Sequence, residues 1–220
     1  MTSPVYQLSD DYIERLAALD PGSATYMGIA GYDDKMTDFS PAGHDARSEL
    51  DSSTLKKLNT LDTSDPADRL AAGVFREALE MNEADYSANE HLRSIRIIAG
   101  DVDAARSVFD LMPTETASNW ETIADRLSQV PAAFDGMCES WKLGIERGAI
   151  AQRRQVLAVS EQLAVWAGLR GNSGFFDDFV SGAANVAGAP VERLKSLASQ
   201  ASQALARTSA FLERDYAPRA

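Results

Sequence analysis

Apolar residues recur along most of this chain at the three- and four-residue spacing that places them on one face of a helix. Polar residues fill the positions between them, so each segment has one apolar and one polar face. The pattern predicts a succession of amphipathic helices whose apolar faces turn towards a core. The predicted inward positions are Tyr12, Ile13, Leu16 and Leu19; Ala46, Leu50, Leu58 and Leu61; Leu70, Val74, Phe75, Ala78 and Leu79; Trp120, Ile123, Ala124, Leu127 and Val130; Phe134, Cys138, Trp141 and Ile145; Val156, Val159, Leu163 and Trp166; and Leu194, Leu197, Ala201, Leu205, Thr208 and Leu212.

Residues typical of helix ends bound these segments. A side-chain oxygen just before a helix accepts hydrogen bonds from the free N–H groups of the first turn, and proline fits that turn because its missing N–H costs nothing there. Glycine is typical of the position just after a helix. Starts are predicted at Ser9 or Asp10, at Ser40–Pro41, at Asp65–Pro66 and at a capping box of Ser118 and Glu121, and ends are predicted at Gly148 and Gly171.

Only Ser94–Gly100, with the sequence SIRIIAG, has the character of a strand. It fits either one short strand or an extension of the preceding helix, and a single strand cannot form a sheet. We therefore predict an all-α protein, an antiparallel array of roughly eight to ten helices without significant sheet. Residues 1–220 are assigned to one helical domain, with a sub-boundary near 168–174, where GLRGNSG interrupts the pattern.

The charge balance argues against several classes of partner. Twenty-one Lys and Arg residues stand against 33 Asp and Glu residues, which gives a formal net charge of -12. Such a surface repels phosphate backbones and anionic lipids, so we expect neither nucleic acid nor membrane as a partner. The single cysteine, Cys138, excludes a disulfide within the chain. No leader-like start and no bilayer-length apolar run is apparent, and these features together predict a cytoplasmic protein.

Histidine and cysteine, which supply the nitrogen and sulfur ligands of zinc sites, are sparse. His44 and His91 are the two histidines, they lie in different segments, and neither belongs to a His-Glu-x-x-His motif. A surface or capping role is the favoured interpretation of each. Asp101 and Asp103 lack the central glycine and distal glutamate of a calcium loop, and a helix N-cap explains them better. We assign no metal, cofactor or catalytic residue to this chain, and Cys138 fits packing on an apolar helix face.

The segment from Leu19 to Asp34, LDPGSATYMGIAGYDD, combines a helix start at Pro21–Tyr26 with glycines at positions 28 and 31. A polar turn containing Tyr32 and Asp33 follows. Turn chemistry accounts for this composition, so a helix-to-helix connection is the favoured interpretation. The alternative is that Tyr32 and Asp33 lie on the rim of a substrate cleft.

Three segments carry a resemblance to a known family. They are LDPGSATYMGIAGYDDKMTDFSP with Arg47 following, the segment from SVFDLMPTE to KLGIERG, and AQRRQVLAVSEQL. Together they resemble the bacterial family catalogued as domain of unknown function eight-eight-five. The resemblance implies a mainly helical protein that is longer than this chain, with a His-Glu-x-x-Pro-Gly-His element in its C-terminal half and a zincin-like metallopeptidase character.

This chain contains no element of that type, so none of the family's zinc or catalytic residues is carried over. The resemblance implies an N-terminal helical scaffold or lid, inactive alone, with zinc and a peptide-like substrate expected only in a full-length member. The expected partner is a C-terminal catalytic half, or a second copy held through apolar surface on the last helix around Leu205, Phe211 and Leu212. Two alternatives remain: a free-standing helical interaction module, and a small enzyme that uses carboxylates from different segments, such as Asp33 and Asp101.

Overall fold

The computed structural model describes residues 3–220. Within this range the chain forms helices joined by short connections and contains no strand, which confirms the all-α prediction. The α-helices are α1 (Pro4–Leu19), α2 (Pro21–Tyr26), α3 (Pro41–Leu58), α4 (Pro66–Ser87), α5 (Asp101–Ser107), α6 (Ala117–Leu127), α7 (Val130–Arg147), α8 (Arg153–Trp166), α9 (Phe175–Ser181) and α10 (Val191–Phe211). Short 3-10 segments span Glu90–Arg93, Val108–Leu111, Gly182–Asn185 and Ala217–Arg219, and a π-helical turn spans Leu212–Tyr216.

Three predicted helix starts and one predicted end are confirmed, and one of these starts is Pro21, which opens α2 with Asp20 as its N-cap. The Ser40 hydroxyl accepts a hydrogen bond from the backbone N–H of Gly43 at 3.2 Å, and Pro41 opens α3. The Asp65 carboxylate accepts from the N–H of Ala67 at 2.8 Å at the start of α4. α7 ends at Gly148, whose φ of 74° lies in the left-handed region that glycine adopts at little cost.

Three other predicted helix boundaries are wrong, and one of them is the end at Gly171, because α8 ends at Trp166 with Ala167 as its C-cap. α1 begins at Pro4 with Ser3 as its N-cap, so Ser9 and Asp10 lie inside the helix. The capping box of α6 is formed by Thr116 and Asn119, whose side chains each bond the other's backbone N–H. The amide oxygen of Asn119 therefore does what a glutamate carboxylate was predicted to do, and the helix begins earlier than a box of Ser118 and Glu121 requires.

The segment Ser94–Gly100 forms neither a strand nor a helical extension. Its backbone is irregular, with Ile95 buried and Ile98 74% exposed. Gly100 takes the N-cap position of α5, and Asp101 therefore lies in the first turn instead of capping the helix. A carboxylate in the first turn complements the positive end of the helix dipole.

The buried apolar residues form two clusters. The smaller joins α1, α3 and α4, and its members are Val5, Tyr12, Leu50, Leu58, Ala72 and Leu79. The larger joins α5 to α10, with α10 packed against α6, α7, α8 and α9. The loop at 168–174, predicted as a sub-boundary, connects α8 and α9, and both of these helices contribute to the larger cluster.

Burial differs from prediction on several helices, since Ile13 of α1, Ala46 of α3 and Ala78 of α4 were predicted to face inward but are exposed. Leu70 and Val74 were predicted to face inward but are 71% and 63% exposed, because the face of α4 that contacts α1 and α3 is the one containing Ala72 and Leu79. Conversely, the three residues around the end of the last helix that were predicted to form exposed apolar surface are covered. Leu205 and Leu212 are fully buried, and Phe211 is partly buried.

No helix in the described range combines the length and the apolar character needed to cross a bilayer.

Candidate functional site

His44 and His91 lie side by side, although the sequence places them in separate segments. Their ring centroids are 4.9 Å apart, and the ring of His91 stacks on that of Tyr86 at 4.5 Å with an angle of 4° between the planes. His44 belongs to the first turn of α3, and His91 belongs to the 3-10 segment Glu90–Arg93. Each histidine was predicted to have a surface or capping role, and the structure places both side chains, half-buried, in the wall of one cleft.

The cleft lies between α1, α3, α4 and this 3-10 segment, and it encloses about 320 Å³. Helical spacing explains its composition, because residues three, four and seven apart share one helix face. α3 and α4 each present a polar row to the cleft, and α1 adds two further side chains. The residues that line it are Tyr12, Leu16, Asp20, His44, Arg47, Ser48, Asp51, Asn82, Asp85, Tyr86 and His91.

A close backbone approach positions the segment that carries His91. A Cβ atom added to Gly144 of α7 would lie 2.5 Å from the carbonyl oxygen of Leu92 and 2.8 Å from that of Ala149. Real Cβ atoms do not approach other atoms so closely, so only glycine allows α7 and the 3-10 segment to pack at this distance. The position of His91 thus depends on a residue outside the cleft.

Arg47 fixes the tautomer of His44 and helps to keep its ring neutral. Its Nη1 donates to the carbonyl oxygen of Asp38 at 2.8 Å, and its Nη2 lies 3.0 Å from Nδ1 of His44. A guanidinium can only donate, so Nδ1 of His44 accepts and its proton lies on Nε2. Burial, followed by the positive charge of Arg47, lowers the pKa of His44 to about 3. His44 is therefore a neutral imidazole at pH 7, and its buried Nε2 has no hydrogen-bond partner.

The second imidazole is also neutral at pH 7. Burial is the main cause that lowers the pKa of His91, and the positive charge of Arg147 adds to it. Its Nδ1 is buried and has no hydrogen-bond partner. Each ring therefore presents a buried nitrogen whose hydrogen-bonding capacity is unused.

Carboxylates dominate the charge of the cleft. Asp51 accepts a hydrogen bond from the Tyr12 hydroxyl at 2.7 Å, and burial raises the pKa of both groups. Asp20 is held by the hydroxyls of Ser23, at 2.7 Å, and Thr37, at 2.5 Å, and Asp85 is exposed on α4. Against these three carboxylates the lining contains one cation, Arg47, and two neutral imidazoles. The cleft is a negative environment with aromatic walls.

The donor set does not fit zinc. A zinc site needs at least three converging ligands, and residues 3–220 contain no group of three or more His, Cys, Asp or Glu side chains arranged to hold a metal. Nδ1 of His44 already accepts a hydrogen bond from a guanidinium.

Tyr32 and Asp33 lie in the connection between α2 and α3, outside the residues that line the cleft. The fully buried Arg126 of α6 binds this connection. Its Nε donates to the carbonyl oxygen of Lys35, and its Nη2 donates to that of Tyr32, both at 2.9 Å. The Asp33 carboxylate accepts from the Thr25 hydroxyl at 2.7 Å and lies 3.9 Å from Arg126. These contacts favour the helix-to-helix connection, and the substrate-rim role stays a prediction.

Gly28 and Gly31 have φ angles of 72° and 94°, and an added Cβ would meet no atom within 4 Å at either. The structure therefore assigns these glycines to a turn and shows no close approach of another segment to either.

Asp33 and Asp101 have different surroundings. Asp101 accepts from the Ser94 hydroxyl at 3.2 Å, and burial raises its pKa to about 6. It lines a separate cavity of about 160 Å³ together with Asp20 and Tyr26, and Asp33 is not part of that lining. The Cys138 thiol is a poor nucleophile because burial raises its pKa to about 11.

The spacing of the cleft residues in the sequence is a signal, but it did not lead to a prediction of the cleft. His44, Arg47 and Asp51 recur three and four residues apart, which is a polar row on α3. Asn82, Asp85 and Tyr86 form a similar row on α4. Polar rows are typical of solvent-exposed helix faces, so only the packing of α3 against α4 shows that these two rows face one cleft.

The fold recurs in a longer protein. A solved structure of a "putative lipoprotein of unknown function" from Shewanella oneidensis matches 99% of this chain with a TM-score of 0.73 at 16% sequence identity. The chain spans 38% of that protein's length. No curated protein matches the sequence. The family model described as "Bacterial protein of unknown function (DUF885)" matches residues 21–220. The chain therefore belongs to the DUF885 family of bacterial proteins.

Proposed function

We propose that this chain is a ligand-binding helical scaffold, and that the cleft between α1, α3 and α4 receives the ammonium group of a small peptide-like ligand. The observation that carries the proposal is the charge of the lining: three carboxylates, Asp20, Asp51 and Asp85, against the single guanidinium of Arg47. An ammonium group is attracted to carboxylates and to the faces of aromatic rings. Tyr12 and Tyr86 line the cleft, and one face of the Tyr86 ring is covered by His91.

Hydrogen-bonding capacity supports the same ligand. An ammonium group has three donors and no acceptor, so it needs acceptors in the site. Asp85 lies at the open side of the cleft, and Asp51 lies deeper beside Tyr12. Arg47 does not compete for them, since its donors reach the carbonyl oxygens of Leu19 and Asp38 and the ring of His44.

We extend the scaffold role to a longer family protein. The support is that the whole described fold corresponds to 38% of the solved Shewanella chain. In this proposal the helices form a wall or lid over a substrate cleft, and zincin-like hydrolysis is supplied outside residues 1–220. A second candidate function, a free-standing interaction module, is favoured by one observation, the exposed apolar face of α4.

A cytoplasmic location belongs to the same proposal. Its support is the acidic composition with one cysteine, whereas the Shewanella protein is described as a lipoprotein. Fractionation of cells into cytoplasmic, periplasmic and membrane pools, followed by immunodetection, tests it.

Isothermal calorimetry with two matched peptides tests ligand binding. One is tetra-alanine amide with a free amino end, and the other is the same peptide with an acetylated amino end. The free amine is expected to bind and the acetylated peptide is not, because acetylation removes the positive charge. Binding should weaken at least about tenfold in Asp85→Asn and in Asp51→Asn, the loss typical of one charged hydrogen bond.

Asp10→Asn is the matched control. Asp10 is exposed on α1 and does not line the cleft, so this variant removes one carboxylate without touching the site. It should bind as the wild type does. Equal binding of both peptides, or equal weakening in all three variants, would show that the cleft charge does not select the ligand.

A further inference from the structure

A small cavity lies between α2, the connection 36–39 and α5. It encloses about 160 Å³, and Asp20 is a lining residue that it has in common with the cleft. We call it the α2–α5 cavity. An apolar cavity of about 150 Å³ can hold benzene, so this space has room for a group of about six non-hydrogen atoms. It is therefore large enough for a small molecule or for a single side chain.

The lining of the α2–α5 cavity combines apolar and acidic side chains. Phe39, Ala105 and Val108 are buried and apolar, whereas Asp20 and Asp101 contribute carboxylates. Burial of an alkyl chain is favourable, and a positive charge is attracted to carboxylates. A ligand that has both an alkyl chain and a positive charge therefore matches this lining.

The two carboxylates differ in their hydrogen bonds. Asp20 accepts from the hydroxyls of Ser23 and Thr37 and caps α2. Asp101 is mostly buried, and its Oδ1 accepts from the Ser94 hydroxyl at 3.2 Å, but its Oδ2 has no hydrogen-bond partner within residues 3–220. An acceptor that loses water without gaining a donor is unfavourable. The lining thus contains a carboxylate oxygen that a ligand can satisfy.

No cationic side chain of the described chain occupies this acceptor. Arg47 and Arg96 act on Asp101 through their charges, but neither forms a hydrogen bond or an ion pair with it within residues 3–220. Arg47 donates instead to the carbonyl oxygens of Leu19 and Asp38. Burial outweighs both positive charges and raises the pKa of Asp101, so the negative charge of this carboxylate is incompletely compensated.

We propose that the α2–α5 cavity binds a primary alkylammonium group of about four or five carbons, which is the chemistry of the lysine side chain. The ammonium group donates to Oδ2 of Asp101 in a hydrogen bond between opposite charges, and the charge of Asp20 adds to the attraction. The alkyl chain packs on Phe39 and Val108, where it is removed from water.

The entrance of the cavity lies between α2 and α5. Tyr26 of α2 and Ala104 of α5 line the cavity and are both exposed, so the cavity meets solvent on this side. A hydrogen bond between the hydroxyls of Tyr26 and Ser107 joins the two helices nearby. An opening at the surface admits a free amine, and it also admits a lysine side chain whose backbone stays outside.

Nuclear magnetic resonance of protein labelled with ¹³C at the methionine methyl groups tests the proposal. Met36 lines the α2–α5 cavity, and no methionine within residues 3–220 lines the cleft. The Met36 signal is assigned with Met36→Leu. At pH 7 butylamine is protonated and should shift this signal. Methylamine lacks most of the alkyl chain and 1-butanol lacks the charge, so each should bind at least about tenfold more weakly.

Two variants should weaken the binding of butylamine at least about tenfold. Asp101→Asn removes the charge with little change of shape, and Ala104→Leu places a larger side chain at the entrance. Asp10→Asn and Ala84→Leu are the matched controls, since they make the same changes at exposed positions outside the cavity, and they should bind as the wild type does. Circular dichroism should show the same fold in all four variants.

Nα-acetyl-lysine methylamide distinguishes the two sources of the ammonium group, because its side chain carries its only charge. Binding of this probe and of butylamine assigns the cavity to lysine side chains as well as to free amines, and binding of butylamine alone restricts it to free amines. The proposal would be overturned if saturating butylamine left the Met36 signal unchanged, or if wild type and Asp101→Asn bound it equally. The ring signals of His44 and His91 report on the cleft separately, so either site can fail without the other.

Discussion

The imidazole of His44 on α3 lies 4.9 Å from the imidazole of His91, measured between ring centroids, in the wall of a cleft rich in carboxylates. Neither position is explained by its own helix alone. The guanidinium of Arg47 holds the ring of His44 and also donates to the carbonyl oxygens of Leu19 and Asp38, outside α3. His91 is held by the close packing of Leu92 on Gly144 of α7. The site is therefore a product of tertiary packing, and its properties can be tested through these contacts.

Stability should fall as the pH falls below 7. The folded pKa of His44, about 3, lies below its ordinary value of 6.5, so the fold favours the neutral ring. Its contribution to stability is complete above pH 6.5 and is lost as the pH falls towards 3. One such group changes the free energy of unfolding by about 1.4 kcal/mol per pH unit within that window. His91, whose pKa is also lowered, acts in the same direction.

The titration of Asp101 changes the stability in the opposite direction in part of this pH range. Its folded pKa of about 6 exceeds its ordinary value of 3.8, so its contribution is present below pH 3.8 and is lost as the pH rises through 6. Urea unfolding of the wild type and His44→Gln between pH 7 and 4 separates these effects. The variant should lose stability less steeply by up to about 1.4 kcal/mol per pH unit. Identical slopes would mean that His44 is not held neutral.

Arg126 should contribute more to stability than an exposed arginine. Arg126→Met removes the donors that bind the carbonyl oxygens of Tyr32 and Lys35 and the hydroxyl of Thr25. Acceptors left without partners cost about 1–3 kcal/mol each when buried, so we expect a loss of about 2–4 kcal/mol in urea unfolding.

Arg193→Ala is the matched control for this effect. Arg193 binds Glu121 and Asp125 at 2.7 and 2.6 Å, but all three side chains are exposed. Screening by water limits the expected loss to about 1 kcal/mol or less. A loss as large as that of Arg126→Met would show that burial does not distinguish the two arginines.

Two glycine-to-alanine substitutions should have opposite effects on the stability of the protein. Gly144→Ala places a methyl group against the carbonyl oxygens of Leu92 and Ala149, so we expect a loss of about 1–3 kcal/mol in thermal unfolding. Gly73→Ala places the same group in open space on α4 and should stabilise the protein by about 0.5–1 kcal/mol. If Gly144→Ala proved neutral, Gly144 would not determine the position of the His91 segment.

Local features of the fold were predictable from sequence where one short segment contains the whole cause. Asp65 and Pro66 cap and open α4 because both act within one helical turn. Whether a helix face is buried cannot be predicted in this way, because it depends on segments that are distant in the sequence. Periodicity placed Leu70 and Val74 on an apolar face, but only the packing of α4 against α3 shows that this face is the exposed one.

The cleft was less predictable than the fold. Each polar row, on α3 and on α4, resembles an ordinary solvated face, and the two meet only because α3 and α4 pack together. The irregular segment before α5 also escaped prediction. Its isoleucines favour a strand, but no partner strand exists in the described chain, and one isoleucine packs in the core while another is exposed.

The most direct test of the proposed cleft is the nuclear magnetic resonance spectrum of the two imidazoles. The chain has two histidines, so a ¹⁵N-labelled protein gives two sets of ring signals, from His44 and His91. At pH 7, tetra-alanine amide with a free amino end should shift both sets together, and the acetylated peptide should shift neither. If saturating free peptide left both sets unchanged, or if both peptides shifted them equally, the cleft would not be an ammonium-binding site.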